Sequence, residues 1–336
     1  MPTQAAREGR PGARAITRAL FTETSFGRLW YAGAIASTMR WLESLAVGVF
    51  VFDLTDSAIM VAVFLFLRWA PLVMFGAWIG VIADRVSRKG ILLGGLIAMS
   101  VVSALLGLLA VTGTVALWHI GLAAFLSGTF TSTDYSTRRT MIGEAAGTER
   151  VGVAMAFDTG TNNGTRMLGP ALGGFLLEFM GLHGAYFLGT ILYATAAFVV
   201  WRMVYLQHKP SGPAPKVLTN LIEGLRYARS EPIVVGVLSI TIIVNAFGFP
   251  FASILPVIGR DTLGLSAFPV GVLASSEGLG ALLGAVFVGM TVRPSRYGRF
   301  FVCGSFMFLS GIILFALSPL FETSLVVLLL AGLGIS

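Results

Sequence analysis

The chain has 336 residues, of which 56% are hydrophobic and only 12% charged. Soluble domains carry about a quarter charged residues, so this composition excludes an ordinary soluble globular domain and favours repeated crossing of a bilayer. The net charge of +7 would suggest nucleic acid in a soluble protein. In a membrane chain it reflects Lys and Arg gathered in cytoplasmic loops, and no nucleic-acid partner is expected.

Residues 1–26 form a polar, Arg-rich tail with no secretory signal. Ten apolar spans follow, at about 28–52, 58–82, 91–112, 115–136, 151–178, 184–205, 232–256, 266–291, 299–318 and 323–336. The connections are mostly short. The exception is 207–231, where Pro210, Gly212, Pro213 and Pro215 precede an amphipathic stretch at 218–227. That composition reads as a cytoplasmic linker between a six-helix bundle (27–206) and a second, partial bundle (232–336). Span ten is about 14 residues, too short to cross. The sequence is therefore expected to lack the end of the second bundle.

Nineteen of the 23 Lys and Arg fall on one side of the spans, Arg260 falls on the other, and Arg40, Arg68 and Arg166 lie within spans. The positive-inside rule then puts the N-terminus in the cytoplasm of a multi-pass plasma (inner) membrane protein. An internal repeat is also visible. Ser57-Ala58 precedes span two and Ser266-Ala267 precedes span eight, and Gly80 and Gly289 each follow 23 residues after their serine. An offset of 209 maps span two onto span eight and pairs Arg68 with Glu277.

Charges at membrane depth are costly, so they mark ion pairs, proton sites or substrate contacts. The candidates are Arg40 and Glu43 in span one, Arg68 in span two, Asp158 and Arg166 in span five, and Glu277 in span eight. Arg40 and Glu43 share a helix face at a spacing of three and could pair. The three arginines cannot release a proton at relevant pH. Coupling to protons would therefore fall to Glu43, then Glu277, then Asp158. Asn245 in span seven and Thr161, Asn162 and Asn163 in span five are further polar groups that could bind substrate or a neighbouring helix.

The charged turn from Gly80 to Lys89, with Asp84, Arg85 and Arg88, sits between two long apolar runs. Asp134, near the end of span four, is expected to meet Arg85 in a cytoplasmic latch that forms in one conformation and breaks in the other. Span five carries Gly160 and Gly164, then Gly169, Pro170, Gly173 and Gly174. Small residues four apart permit close helix approach, and Pro170 permits a kink, so this helix is expected to be pliant and to lie at a moving interface. Cys303 in an apolar run is expected to be a small buried thiol. His119, His183 and His208 have no metal spacing, and no nucleotide-binding loop or nucleophile triad is found, so neither a cofactor nor an enzyme activity is expected.

The Gly80–Lys89 turn resembles the loop between the second and third helices of major facilitator superfamily transporters. The Gly160 to Gly174 series resembles the fifth-helix motif of proton-coupled antiporters in that superfamily. The run Leu54-Thr55-Asp56-Ser57-Ala58, with Pro71 and with Glu223-Gly224-Leu225-Arg226-Tyr227 in the linker, is similar to the branch of enterobactin and macrolide exporters. The resemblance implies an all-α polytopic fold of two pseudo-symmetric six-helix bundles. It also implies a monomer with a central cavity, alternating access, and contact of spans five and eight across the bundle boundary. An Arg166–Glu277 pair across that boundary is therefore expected. The implied activity is export of a small amphipathic compound, drug or siderophore-like, in exchange for protons. An importer or lipid transporter of the same fold, or a truncated membrane partner that does not transport, are the alternatives.

Overall fold

A computed structural model describes residues 13–23, 25–205, 207, 217–248 and 250–335; the side chains of 13–16, 23, 77–85, 217–222, 225 and 294 lie outside the description. Among the described residues every regular element is helical. The helices are α1 (Ala13–Glu23), α2 (Phe26–Thr55), α3 (Ala58–Arg85), α4 (Arg88–Val111), α5 (Leu117–Ala146) and α6 (Val151–Trp201). After the linker come α7 (Val217–Ser230), α8 (Pro232–Ile243), α9 (Phe251–Val257), α10 (Ala267–Thr291), α11 (Tyr297–Ala316) and α12 (Phe321–Gly334). Short π-helical turns, Val244–Gly248 and Ile258–Thr262, flank α9.

Among the described residues seven helical runs are long and apolar enough to cross a bilayer: α2, α3, α4, α6, the run 232–262, α10 and α11. α5 has 30 residues but a more polar sequence, and α12 has 14. The 51 residues of α6 are two helical arms joined end to end rather than one rod. Its backbone breaks at Gly181, with φ 69° and ψ −176°. The expected fifth and sixth spans, 151–178 and 184–205, correspond to the two arms of α6 on either side of Gly181. That region of φ/ψ is open almost only to glycine, so Gly181→Ala is expected to cost about 1–3 kcal/mol. A thermal scan of purified protein would show it; an unchanged midpoint would mean that the turn is not constrained there.

Local sequence sets the helix ends. Asp56 takes the left-handed conformation (φ 50°) and closes α2 by donating its N–H to the Phe52 carbonyl. Ser87 caps α4, its Oγ accepting from the Gly90 N–H at 3.2 Å. Ala58 and Ala267 open α3 and α10 after Ser57 and Ser266, so the two helices start 209 positions apart.

Within the basic tail, α1 is amphipathic, and Phe21 stacks edge-on against Phe26, Trp30 and Phe157. The helix of span four continues past its apolar run to Ala146, with Arg138 buried inside it. Two expectations need correction. The backbone stays helical at Pro170 and breaks at Gly181 instead, since glycine alone tolerates the turn. Cys303 is exposed on the outer face of α11. An apolar run does not tell a protein-facing position from a lipid-facing one.

The first bundle packs around Leu29, Met39, Leu42, Leu96, Met141 and Tyr193. The near end of the molecule carries α1, the α3–α4 turn and the end of α6. The far end carries the α2–α3 and α4–α5 turns. There, Leu45 and Val49 of α2 join Phe251, Leu255, Val270 and Leu273 in a second core shared by both bundles. Outward-facing Ile59, Val73, Ile191 and Met290 are exposed, a surface that suits lipid rather than water.

Candidate functional site

A cavity of about 580 Å³ lies at the boundary between the bundles. Its apolar wall includes Trp41, Phe66, Trp69, Phe251 and Phe308. Its polar groups are few: Ser44 on α2, Arg166 on α6, Asn245 on the π-helical turn before α9, Ser253 on α9, and Glu277 on α10. A large apolar pocket with sparse polar groups suits a small amphipathic ligand.

Arg166 and Glu277 form a two-pronged pair across the bundle boundary. Arg166 Nε donates to Glu277 Oε2 at 3.0 Å, and Arg166 Nη2 donates to Glu277 Oε1. The Arg166 guanidinium also lies 5.2 Å from the Trp41 ring centroid. The side chains are 17% and 7% exposed, so neither charge is left to solvent. Asn245 is placed on the cavity wall with its amide donating to the Thr241 carbonyl at 2.8 Å.

Glu43 is buried, at 5% exposure. The expected pairing with Arg40 does not occur. Arg40 turns instead to the Ser37 hydroxyl and to Asn162 Oδ1 at 2.5 Å, because a helix neighbour supplies an acceptor on that side. Glu43 Oε2 faces Arg68 Nη1 at 3.9 Å and accepts from the Ser127 hydroxyl at 3.3 Å. Arg68 Nη2 donates to the Arg40 carbonyl at 3.0 Å. Thr161 likewise serves a neighbouring helix, accepting from Trp30 Nε1 at 2.7 Å.

The offset of 209 has a counterpart in packing. A Cβ on Gly128 of α5 would strike the Arg68 carbonyl oxygen, and a Cβ on Gly332 of α12 would strike the Glu277 carbonyl oxygen. α5 therefore presses on α3 at Arg68 as α12 presses on α10 at Glu277. The two residues occupy equivalent places in two similar halves, with opposite charge.

At the near end, Asp158 is not free to serve alone. Arg138 binds both Asp158 and Asp134, and Arg139 Nε lies 3.4 Å from Asp158. The arginine fits against α2 because Gly33 leaves room for its guanidinium. The expected Asp134–Arg85 contact falls on a side chain outside the description, as do those of Gly80 and Asp84. Asp134 instead binds Arg138 one turn along its own helix, at 3.2 Å. Arg88 binds Glu144 at 2.6 Å, and Lys89 donates to the Trp201 and Met203 carbonyls at 2.9 and 2.6 Å, capping the end of α6. Both contacts stay within the first bundle and do not reach the second. Tyr205, beyond α6, donates to Glu144; partial burial and that carboxylate push its hydroxyl up to about 12, so it remains a donor.

From mid-depth toward the far end, further polar contacts among the described residues cross the boundary: the Ala171 N–H donates to Ser275 Oγ at 3.0 Å, Arg260 Nε donates to Asp53 at 2.6 Å, and Glu178 of α6 accepts from the Phe268 N–H at 2.7 Å, at the start of α10. Along α6 the glycines divide into two groups. Gly160 and Gly164 have nothing within 4 Å of a Cβ, so they do not make the expected close approach. Gly169 and Gly173 press on α2, at Trp41 and Leu42, and Gly174 presses on the Ala267 carbonyl of α10. The Pro170 carbonyl abuts Gly271 of α10.

Sequence reasoning missed Arg138, Ser127 and Trp41. The Asp134–Arg138 spacing of four was the available signal for the first. Nothing in the sequence marks one serine or one aromatic among many.

A family model described as transmembrane secretion effector matches residues 15–335. The chain is 24% identical over 280 residues to an uncharacterized MFS-type transporter, YfiS, of Bacillus subtilis (strain 168), covering 81% of this chain and 65% of that protein. It is 18% identical to macrolide efflux protein A of Streptococcus pyogenes, covering 79% of this chain and 66% of that protein. The chain thus spans about two thirds of the length of these relatives. Among solved structures, it is similar to a bacterial homolog of the human lysosomal transporter Spinster in an inward-facing, unoccupied conformation. That likeness has a TM-score of 0.65 and 15% identity over 92% of this chain and 72% of the other. The nucleoside transporter NupG gives a TM-score of 0.65 and 14% identity over 92% and 79%. These likenesses establish the fold, and the family match over nearly the whole chain establishes descent: the chain belongs to the major facilitator superfamily, within its transmembrane secretion effector family.

Proposed function

We propose that the protein is a secondary transporter that exports a small amphipathic compound from the cytoplasm in exchange for protons. The observation that carries this reading is the cavity of about 580 Å³ walled by both bundles, with aromatic faces and a buried charge pair. A cavity shared by two rigid bodies can be opened to either side by rocking one against the other. Glu43 is the carboxylate proposed to exchange a proton, since it is buried and only loosely engaged by Arg68 at 3.9 Å. Glu277 is clasped by Arg166 and Asp158 by two arginines, which ranks them behind Glu43. The cation distribution supports a reading in which the near end faces the cytoplasm and the membrane is the inner one. The contacts that cross the boundary run from mid-depth to the far end, at Arg166–Glu277, Glu178–Phe268 and Asp53–Arg260, which supports an inward-open arrangement. Asp84 and Arg85 remain proposed as the cytoplasmic latch of the opposite state. Export is favoured by the likeness to a macrolide efflux protein.

The test is transport in everted and right-side-out vesicles. Wild-type protein is expected to move substrate into everted vesicles and to release protons as it does so. Glu43→Gln is expected to lower proton-coupled movement at least about tenfold, while substrate counterflow, which needs no net proton transfer, stays near wild type. Accumulation only in right-side-out vesicles would mean import, and equal loss of counterflow would remove Glu43 from the coupling role.

A further inference from the structure

Behind the central cavity lies a second, small chamber of about 30 Å³. Glu43, Arg68, Ser103, Ser127, Tyr186 and Met99 line it. Two of these residues carry buried atoms with no protein partner at good hydrogen-bond geometry, Glu43 Oε1 and Ser103 Oγ, although the Tyr193 hydroxyl of α6 lies near the Glu43 carboxylate. Glu43 is 5% exposed and Ser103 is 1% exposed. A buried carboxylate oxygen and a buried hydroxyl left unpaired are each expensive, and both face the same volume. A cavity needs roughly 10–15 Å³ of such space to hold a water, so this one has room, and a buried water needs two to four polar partners. The chamber offers them on α2, α3, α4, α5 and α6.

The chamber and the central cavity share four wall residues: Ser44, Leu65, Ala252 and Ser253. Ser44 belongs to the first bundle and Ser253 to α9 of the second. α9 has seven residues, lies between two π-helical turns and contains Pro256. A rocking motion that carries α9 away from α2 would widen this neck, and the return would close it. The Ser253 hydroxyl donates to the Pro250 carbonyl at 2.7 Å, so an oxygen lone pair remains available at the neck.

We infer that the chamber is a binding site for a single water, which accepts from Ser103 Oγ, donates to Glu43 Oε1, and relays the coupling proton between Glu43 and the central cavity through the Ser44–Ser253 neck. The relay rests on the antiport reading given above; the water itself does not. In the protonating direction the water takes one proton from water in the neck and gives one to Glu43 Oε1, so its own formula is unchanged and the carboxylate gains one proton. The charged and titratable groups facing Glu43 are Arg68 from α3 and Tyr186 and Tyr193 from α6; α5 contributes the neutral Ser127 and α4 the neutral Ser103.

The test is X-ray radiolytic labelling of the purified protein in lipid nanodiscs, read by mass spectrometry. Met99 lines the chamber and is 3% exposed, and it also borders a separate cavity of about 190 Å³ near Leu92 and Phe130, so the Ser103 variants are what assign its oxidation to the chamber; Met141 is 0% exposed and lines none of these cavities. Radicals made from a water in the chamber are expected to oxidise Met99 much faster than Met141. Ser103→Val, which fills the space, is expected to lower Met99 oxidation about tenfold toward the Met141 rate. Ser103→Ala keeps the space but removes one partner, and is expected to lower substrate-driven proton movement severalfold while leaving counterflow unchanged. Met99 oxidised no faster than Met141 in the wild type would overturn the site, whatever transport does. Fast Met99 oxidation in a wild type that exchanges substrate without moving protons would uphold the water and overturn the relay together with the antiport reading. Equal loss of counterflow in Ser103→Ala would assign Ser103 a packing role and overturn the relay alone.

Discussion

Arg166→Ala is expected to lower the thermal midpoint of the purified protein by about 10 °C and to abolish transport. Removing one partner of a buried ion pair leaves the other charge uncompensated, at about 3–5 kcal/mol, and a membrane protein of this size converts that into a shift of roughly 10 °C. The stranded group would be Glu277, whose side chain is 7% exposed and whose two oxygens both engage Arg166. Glu277→Gln is the gentler change, because the amide oxygen still accepts from the guanidinium and no isolated anion remains. The exchange Arg166→Glu with Glu277→Arg restores opposite charges at the same boundary. It is expected to recover most of the stability and part of the transport. Recovery is incomplete because Arg166 also lies over the Trp41 ring, and a carboxylate placed there meets the negative face of the indole. Thermal scans and counterflow on the four proteins would decide the matter. If the exchange behaves no better than either single change, the pair does not hold the bundles together.

The pair illustrates what sequence can supply here. Two opposite charges at mid-depth on spans five and eight, together with the expected meeting of those spans, lead to Arg166 and Glu277 without coordinates. The 209 offset was legible for a similar reason: each helix begins after a serine, and a glycine follows 23 residues after that serine in both. The neighbours of Glu43 were not legible. A spacing of three puts Arg40 and Glu43 on roughly one face, but each side chain can turn to either flank. The choice was made by Asn162 on α6, and by Arg68 on α3 and Ser127 on α5, whose approach is a tertiary fact. Arg138 was hidden by the habit of reading two adjacent arginines as loop charge, although the helix continues through them and Gly33 on α2 accommodates the first. The latch expectation is not decided by these contacts. Arg88 binds Glu144 and Lys89 binds the end of α6, within their own bundle, while the side chains of Asp84 and Arg85 lie outside the description. Charge alone does not say which body a loop is tied to.

Gly174→Ala and Gly278→Ala are expected to lower transport by more than about tenfold, while Gly160→Ala and Gly164→Ala leave it within roughly twofold. A methyl at Gly174 would meet the Ala267 carbonyl oxygen, and one at Gly278 would meet the Arg166 carbonyl oxygen. Both obstacles are backbone, so no rotamer change relieves them, and α6 and α10 must separate. Overpacking of this kind costs about 1–3 kcal/mol. Gly160 and Gly164 have open space around them, and replacing glycine inside a helix by alanine gains about 0.8–1.0 kcal/mol of helix propensity. Gly173→Ala separates stability from movement. Its methyl would meet the Leu42 carbonyl of α2, which lies in the same bundle as α6. It is therefore expected to lower the thermal midpoint as much as Gly174→Ala does, but to slow counterflow less, because α2 and α6 need not slide past each other during the cycle. α6 and α10 must do so if the bundles rock about their shared boundary. Thermal scans and counterflow on the five variants would test this. Full activity in Gly174→Ala, or loss of activity in Gly160→Ala, would place the moving contact on the other face of α6.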